Sequence, residues 1–150
     1  MILTFMSMIV CSASSCNEDE NNNNTENINN MAGTKINIRV NTQTFTATLL
    51  DNNTAKAFEE MLPLTINMAE LNENEKYYDL PNSLPANSSN PGTIQNGDLM
   101  LYGTRTLVLF YKTFSTSYSY TRLGKVDDVT GLASALGSGN VSVTFELIEG

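Results

Sequence analysis

Three closely spaced glutamates, Glu70, Glu73 and Glu75, are the residues whose spacing comes nearest to a metal site. Calcium loops take their oxygen ligands from alternating Asp and Asn positions around an obligatory glycine. The i, i+3, i+5 spacing of these glutamates has neither the glycine nor the alternation. We therefore interpret them as solvated charges, and we predict no metal site and no cofactor.

Cys16 is the residue whose surroundings indicate a specific chemical modification. An apolar stretch from Met1 to Val10 is followed by the small residues 12–15, by Cys16, and then by a polar, acidic segment. The apolar stretch is too short to span a bilayer, which takes about 20 residues, but it suits the apolar region of a signal peptide. The pattern resembles a bacterial lipoprotein leader, so we expect a lipid on Cys16. An ordinary disordered N-terminus is the alternative.

The leader divides the chain into three parts: a signal peptide over 1–15, a lipidated and disordered tether over 16–34, and a domain over 35–150. The tether is rich in asparagine and nearly free of apolar side chains, so it cannot bury enough surface to fold. Its acidic cluster, Glu18-Asp19-Glu20, either resembles an export signal of some outer-membrane lipoproteins or only adds solubility. We predict an outer-membrane lipoprotein, on the periplasmic side or surface-exposed, with the membrane as a partner through its lipid.

The composition of the domain excludes several kinds of chemistry. The chain has no histidine, which is the commonest general base near neutral pH. Both cysteines precede the domain, so it has no thiol nucleophile and no thiolate metal site. Acidic residues outnumber basic ones by sixteen to eight in the whole chain, and only four of the acidic ones lie in the tether. This acidic balance argues against nucleic acid as a partner.

Apolar residues alternate with polar ones along most of the domain, which predicts a mainly β protein. Two short helices interrupt the strands: one begins near Thr54 and ends at Pro63, and the other runs from Val129 to a stop at Gly137. The long connection 70–96 shows little periodicity and is interpreted as functional. We predict a closed barrel whose open ends are covered by the helices. The predicted strands are 36–40, 44–49, 64–68, 98–102, 106–111, 122–126 and 141–147.

The order of four motifs resembles the cyclophilins over roughly residues 36–149. The segment 45–51 followed by Thr54-Ala55-x-x-Phe58 is similar to the cyclophilin strand that runs into T-A-x-N-F. The other motifs are Asp98-Leu99-Met100, Leu109-Phe110-Tyr111 and Leu123-Gly124-Lys125-Val126. Leu62-Pro63-Leu64-Thr65 and Gly97-Asp98-Leu99 are closer still to bacterial cyclophilin-like domains of unassigned function.

The resemblance implies a cyclophilin-like β-barrel of about eight strands with two short helices capping the ends. It does not carry over the prolyl isomerase residues of the cyclophilins. Nothing between Thr65 and Tyr78 matches the segment that supplies their arginine, and Tyr120 stands where they have a histidine. The phenylalanine of their proline pocket matches Phe110. Because the arginine polarises the amide during rotation, we predict no catalytic residue.

The resemblance also places several aromatic residues on the face where cyclophilins bind peptide: Tyr77, Tyr78, Tyr111, Phe114, Tyr118 and Tyr120. Aromatic walls with hydroxyl groups suit a small-molecule or peptide ligand. We predict a ligand groove formed by Tyr78, Phe110, Tyr111, Tyr118, Tyr120 and Arg122. Tyr111 and Phe114 are better explained as part of the core, and Arg122 as a member of a structural ion pair. For Tyr118 and Tyr120, a place in the core and a place in the groove are equally open.

These observations favour a non-catalytic binding module, carried on a lipid tether, that takes a small molecule or peptide in an aromatic groove. The alternative is a degenerate peptidyl-prolyl isomerase of the cell envelope. A third hypothesis is a structural subunit of an envelope complex. The sequence predicts no oligomeric state.

Overall fold

The computed structural model describes residues 33–149, which form ten strands and two short helices. The predicted signal peptide, Cys16 and nearly all of the tether lie outside the described residues. Within 33–149, none of the helices has the length and apolar character needed to cross a bilayer. In chain order the elements are β1 (Lys35–Val40), β2 (Gln43–Leu49), α1 (Asn53–Glu59), β3 (Leu64–Leu71), β4 (Glu75–Asp79), β5 (Thr93–Ile94), β6 (Asp98–Tyr102), β7 (Thr106–Phe110), β8 (Phe114–Ser115), β9 (Thr121–Val126), α2 (Leu132–Leu136) and β10 (Val141–Leu147).

Eight of the strands close into a barrel, in the order β1-β10-β3-β4-β7-β6-β9-β2. Every neighbouring pair is antiparallel, and β2 returns to β1 so that the barrel has no free edge. The remaining strands, β5 and β8, pair only with each other. The predicted mainly β, closed barrel with two helices is confirmed.

The predicted alternation determines which side chains fill the barrel. Ile36, Ile38 and Val40 of β1 are fully buried, whereas the residues between them are partly or fully exposed. Phe58 of α1 is also fully buried and meets the ring of Phe145 edge-on, at 5.5 Å between centroids. The helix therefore covers the barrel core with its apolar face.

The start of α1 and the end of α2 are each explained by local chemistry. The Asn52 side chain accepts a hydrogen bond from the Ala55 backbone N–H at 2.7 Å, which satisfies a donor in the first turn of α1. The regular helix ends at Glu59, earlier than the predicted boundary at Pro63. The second helix, α2, is followed by Gly137 with φ of 67°, a conformation that glycine adopts without a steric penalty.

A second apolar cluster lies on the outside of the barrel. It consists of Ile94, Met100, Val108, Phe110 and Tyr120. Strands β6 and β7 send alternate residues to this cluster and to the barrel core, which explains why their sequences are apolar on both faces. The small β5–β8 sheet contributes to its cover, with Ile94 inside the cluster and Phe114 packed against it.

The connection predicted over 70–96 is partly wrong. Strand β3 continues to Leu71, and β4 follows after a tight turn, so the hairpin β3–β4 occupies the first part of that segment. Alternation was hidden because one inward-facing residue of β4 is charged: Lys76 is fully buried. The irregular connection is limited to the residues between β4 and β6, apart from the two residues of β5.

Candidate functional site

A groove of about 330 Å³ crosses the outer face of the barrel over β4, β6 and β7. Its lining comes from these three strands, from the end of β3 and the turn after it, and from the segment that leads into β9. We call it the tyrosine groove, because its aromatic lining consists of tyrosines only. Those tyrosines are Tyr77, Tyr102, Tyr118 and Tyr120, and the ionisable lining also includes Glu75 and Asp79.

The tyrosines form a continuous set of ring contacts. Tyr102 meets Tyr118 edge-on at 6.2 Å between centroids, and it packs against Tyr120 at 5.6 Å. Tyr118 and Tyr102 are exposed to solvent over 62% and 47% of their surfaces, whereas Tyr120 is nearly buried at 7%. Exposed rings of this size are costly to leave in water, so the groove is a surface that gains from covering.

Glu75 is the electrostatically unusual residue of the groove. Partial burial, followed by repulsion from the carboxylate of Glu70, raises the pKa of Glu75 to about 7. Within residues 33–149 neither a hydrogen-bond donor nor a cation offsets that shift. Near neutral pH the Glu75 carboxyl is therefore divided between its neutral and its ionised form, so it can gain or lose a proton when a ligand arrives.

Asp79 lies further along the same face of β4, and its carboxylate is hydrogen-bonded to a residue of β7. Its Oδ1 accepts a hydrogen bond of 2.6 Å from the hydroxyl of Thr106. Asp79 and Glu75 are four residues apart on one strand, which separates them by about 13 Å. They cannot both bind one metal ion, and no cluster of metal-binding side chains occurs in the described part of the chain.

Tyr120 connects the groove to the outer apolar cluster beneath it. Its ring meets Phe110 edge-on at 5.5 Å, and Phe110 is completely buried. Burial and the nearby Glu75 carboxylate raise the pKa of Tyr120, so its hydroxyl keeps its proton near neutral pH. The hydroxyl can therefore donate a hydrogen bond at the edge of the groove.

A hydrogen-bonded network lies beside the groove and holds the end of the barrel together. Lys76 Nζ donates to Glu70 Oε1 at 3.1 Å, to Gly137 O at 2.9 Å and to Gly139 O at 2.6 Å. The Tyr111 hydroxyl also donates to Glu70. Partial burial opposes the ionised form of Glu70, but the hydrogen bonds from Tyr111 and Lys76 outweigh it and lower the pKa of Glu70. The description of Glu70 as a solvated charge is wrong.

The structure brings together only some of the predicted groove residues. Tyr118 and Tyr120 line the tyrosine groove, and Phe110 lies beneath them. Tyr78 packs against the barrel core instead, because its neighbour Tyr77 takes the outward position on β4. Tyr111 is buried at the end of the barrel in the Glu70 network.

Arg122 lies away from the tyrosine groove, on an exposed position of β9. It borders a second depression, of about 490 Å³, which also contains Lys35 and Asp127. That depression is larger, but its charges are already partly satisfied: Lys35 Nζ and Asp127 Oδ2 form an ion pair at 2.8 Å. We therefore regard the tyrosine groove as the stronger candidate site.

Sequence reasoning did not select Tyr102, Glu75 and Asp79 as groove residues. Tyr102 ends β6 at a hairpin, and its outward direction follows from the burial of Leu101 before it. The two carboxylates share the outward face of β4 with Tyr77, a face that becomes evident only when β4 is recognised as a strand. Period-two counting from Tyr77 would have found all three residues of that face.

The comparisons with known proteins agree with this architecture. A family model described as the cyclophilin-like family matches residues 38–146. The solution structure of a hypothetical protein from Archaeoglobus fulgidus superimposes with a TM-score of 0.52 at 15% identity, covering 77% of this chain and 95% of that one. At this identity the likeness shows the fold alone. No curated protein matches the chain.

Proposed function

The chain belongs to the cyclophilin-like family, and we propose that this member is a non-catalytic binding module tethered to a membrane. Its ligand, a small molecule or peptide, binds in the tyrosine groove. The observation that carries the proposal is the pair of exposed rings, Tyr102 and Tyr118, on the wall of a groove whose carboxylate Glu75 has no partner among the described residues. Exposed aromatics beside convergent polar groups are typical of ligand sites.

The surroundings of Phe110 support a binding role over isomerase activity. The phenylalanine that the cyclophilin resemblance assigns to a proline pocket is fully buried here, with Tyr120 at 5.5 Å and Phe114 at 5.8 Å between ring centroids. A ring with no exposed surface, packed against two other rings, does not offer an open pocket wall to a proline side chain. The lining of the tyrosine groove also contains no arginine that could polarise an amide.

A thermal-shift screen of the full chain against peptides and small metabolites tests the proposed binding. We expect compounds that raise the melting temperature of the native chain and lose that effect in Tyr118→Leu, since ligand binding stabilises the folded state by mass action. Tyr118→Phe is the matched control, because it keeps the ring. If no compound stabilises the chain, or if every hit is unaffected by Tyr118→Leu, the groove is not a ligand site.

The membrane tether is a separate part of the proposal and rests on the leader sequence around Cys16. We propose that lipid on Cys16 holds the domain at the outer membrane of a cell envelope. Mass spectrometry of the chain from its native membrane would detect a lipidated N-terminal cysteine, and Cys16→Ser would release the chain to the soluble fraction, whereas Cys11→Ser would not. An unprocessed N-terminus would contradict the tether and leave the binding proposal intact.

A further inference from the structure

The second depression is crossed by a row of directly paired residues from four strands. Lys35 of β1 pairs with Thr48 of β2, which in turn pairs with Lys125 of β9. On its other side Lys125 pairs with Asp98 of β6. Neighbouring strands lie about 5 Å apart, so successive side chains of the row are neighbours. Together with Arg122, the depression gathers three of the eight basic residues of an acidic chain.

An irregularity in β9 turns two cations into this depression. Residues three apart on a regular strand face opposite sides of the sheet, yet Arg122 and Lys125 are both exposed and both line the depression. Arg122 and Gly124 are opposite successive residues of β6, so Leu123 is an extra residue and forms a β-bulge. Leu123 and Val126, also three apart, are both completely buried in the barrel core. The bulge therefore brings both cations to the outer face.

The two carboxylates of the lining already have partners. Lys35 Nζ pairs with Asp127 Oδ2 at 2.8 Å, and the Thr48 hydroxyl donates to Asp127 Oδ1 at 2.6 Å. Asp98 is nearly buried, and its Oδ2 accepts a hydrogen bond of 2.8 Å from the backbone N–H of Gln95. A lysine and a hydroxyl thus already hold one carboxylate in this depression.

Arg122 and Lys125 are the cations that remain. Within residues 33–149 neither of them forms an ion pair. Their Cα atoms are at most about 10 Å apart, because a strand rises about 3.3 Å per residue, and both side chains are long enough to meet at one group between them. The arginine fork fits two oxygens of a carboxylate or phosphate, and the lysine adds a compact positive charge.

Other occupants fit this pair of cations less well. A cationic ligand would be repelled by Arg122 and Lys125, and an apolar ligand would cover their charges without pairing them. An extended polyanion, such as nucleic acid or an anionic membrane surface, would also meet Asp127 and Asp128, which directly follow β9. The formal net charge of −8 on the chain would repel such a polyanion further. A small anion avoids both costs.

We propose that the second depression binds a small anion, with its phosphate or carboxylate group between Arg122 and Lys125. This site is separate from the tyrosine groove, because β1 and β2 lie across the closed barrel from β7 and β4. The proposal therefore goes beyond ligand binding in the groove, and its failure would leave that binding untouched.

Titration of the full chain with inorganic phosphate at constant ionic strength, followed by NMR, tests the proposal. We expect saturable shift changes at Gly124, which lines the depression, with a dissociation constant in the millimolar range. Arg122→Gln and Lys125→Gln should each weaken phosphate binding about ten-fold, because each removes a charge-assisted hydrogen bond. The control is Lys112→Gln, which replaces an exposed cation outside the lining and should leave the binding unchanged.

Asp127→Asn should change the affinity in the opposite direction. Without its ion pair, Lys35 can turn to the anion, so phosphate should bind roughly three-fold more tightly, in keeping with the small energy of an exposed ion pair. The matched control is Asp128→Asn, which replaces the next carboxylate along the chain, outside the lining, and should have a smaller effect.

Vesicles distinguish a soluble anion from the phosphate of a lipid headgroup. The Cys16→Ser chain is used here, so that no lipid on the cysteine inserts into the vesicle. We expect phosphatidylglycerol vesicles to bind it no more strongly than phosphatidylcholine vesicles. Binding to phosphatidylglycerol alone, without binding of soluble phosphate, would overturn the proposal in favour of a lipid surface. The proposal is also overturned if phosphate binding does not saturate, or if Lys112→Gln weakens it as much as Arg122→Gln does.

Discussion

The ionisation of Glu75 should make the free energy of unfolding depend on pH. Burial, and then the carboxylate of Glu70 on β3, raises the pKa of Glu75 from 4.5 to about 7. Because the folded state holds this proton more tightly than the unfolded state, the free energy of unfolding falls as pH rises from about 4.5 through about 7. Below that window Glu75 is neutral in both states and costs nothing.

The size of the effect follows from the shift. One pKa unit corresponds to about 1.4 kcal/mol, so the full shift sets a ceiling of about 3 kcal/mol. Glu75 is only partly buried, and solvent screening reduces such terms, so we expect about 1–2 kcal/mol. Glu75→Gln should recover this amount at a pH above about 7 and change little at a pH below about 4.

Urea unfolding of the native chain and of Glu75→Gln across this pH range measures the effect, and carbon NMR of the glutamate carboxyls measures the pKa directly. The other groups that face Glu75 are Tyr111 after β7 and Tyr120 before β9. Burial raises the pKa of both tyrosines, so neither titrates in this window. The control is Glu73→Gln, which replaces an exposed carboxylate in the turn between β3 and β4. A Glu75 carboxyl that titrates near 4.5 would refute the reasoning.

Three further outcomes are expected. Lys76→Met should destabilise the fold by about 3–5 kcal/mol in urea unfolding, because Glu70 and two carbonyl groups lose a fully buried partner. The exposed Lys56→Met serves as its control, and a loss no larger than the control's would contradict the network. Gly124→Ala should cost about 1–3 kcal/mol, since its new Cβ would lie 2.4 Å from a carbonyl oxygen of the facing strand, whereas a Cβ at Gly139 meets nothing within 4 Å. A protease-coupled proline-peptide assay should show only the background rate, unchanged by Tyr120→Phe; a rate above background that falls in this variant would favour the isomerase alternative.

Most of the barrel could be predicted from the sequence because its strands have one apolar face each. Residues such as Ile36, Ile38 and Val40 give the period-two pattern directly, and the Asn52 cap indicates where the first helix begins. The prediction failed at β4, where an inward-facing position is Lys76. A buried lysine is permitted there only because Glu70 and two carbonyls satisfy it, and that arrangement depends on contacts between distant parts of the chain.

Because β4 was not predicted as a strand, the predicted site residues were also partly wrong. Without a strand, nothing indicates which of Tyr77 and Tyr78 points outward, and Glu75 on the Tyr77 face is interpreted as a solvated charge. Tyr118 and Tyr120 could be named because the cyclophilin resemblance places them beside the peptide-binding face. The contact between Tyr118 and Tyr102 could not, since it joins the segment before β9 to the end of β6, which come together only through the pairing of β6 with β9.

The proposal that the tyrosine groove binds a ligand is tested most directly by chemical-shift mapping of the full chain with a pool of peptides and small molecules. We expect shift changes to concentrate at residues of the tyrosine groove, namely Glu75, Tyr102, Tyr118 and Tyr120. No shift changes at all, or changes concentrated at the second depression around Lys35 and Arg122, would contradict it.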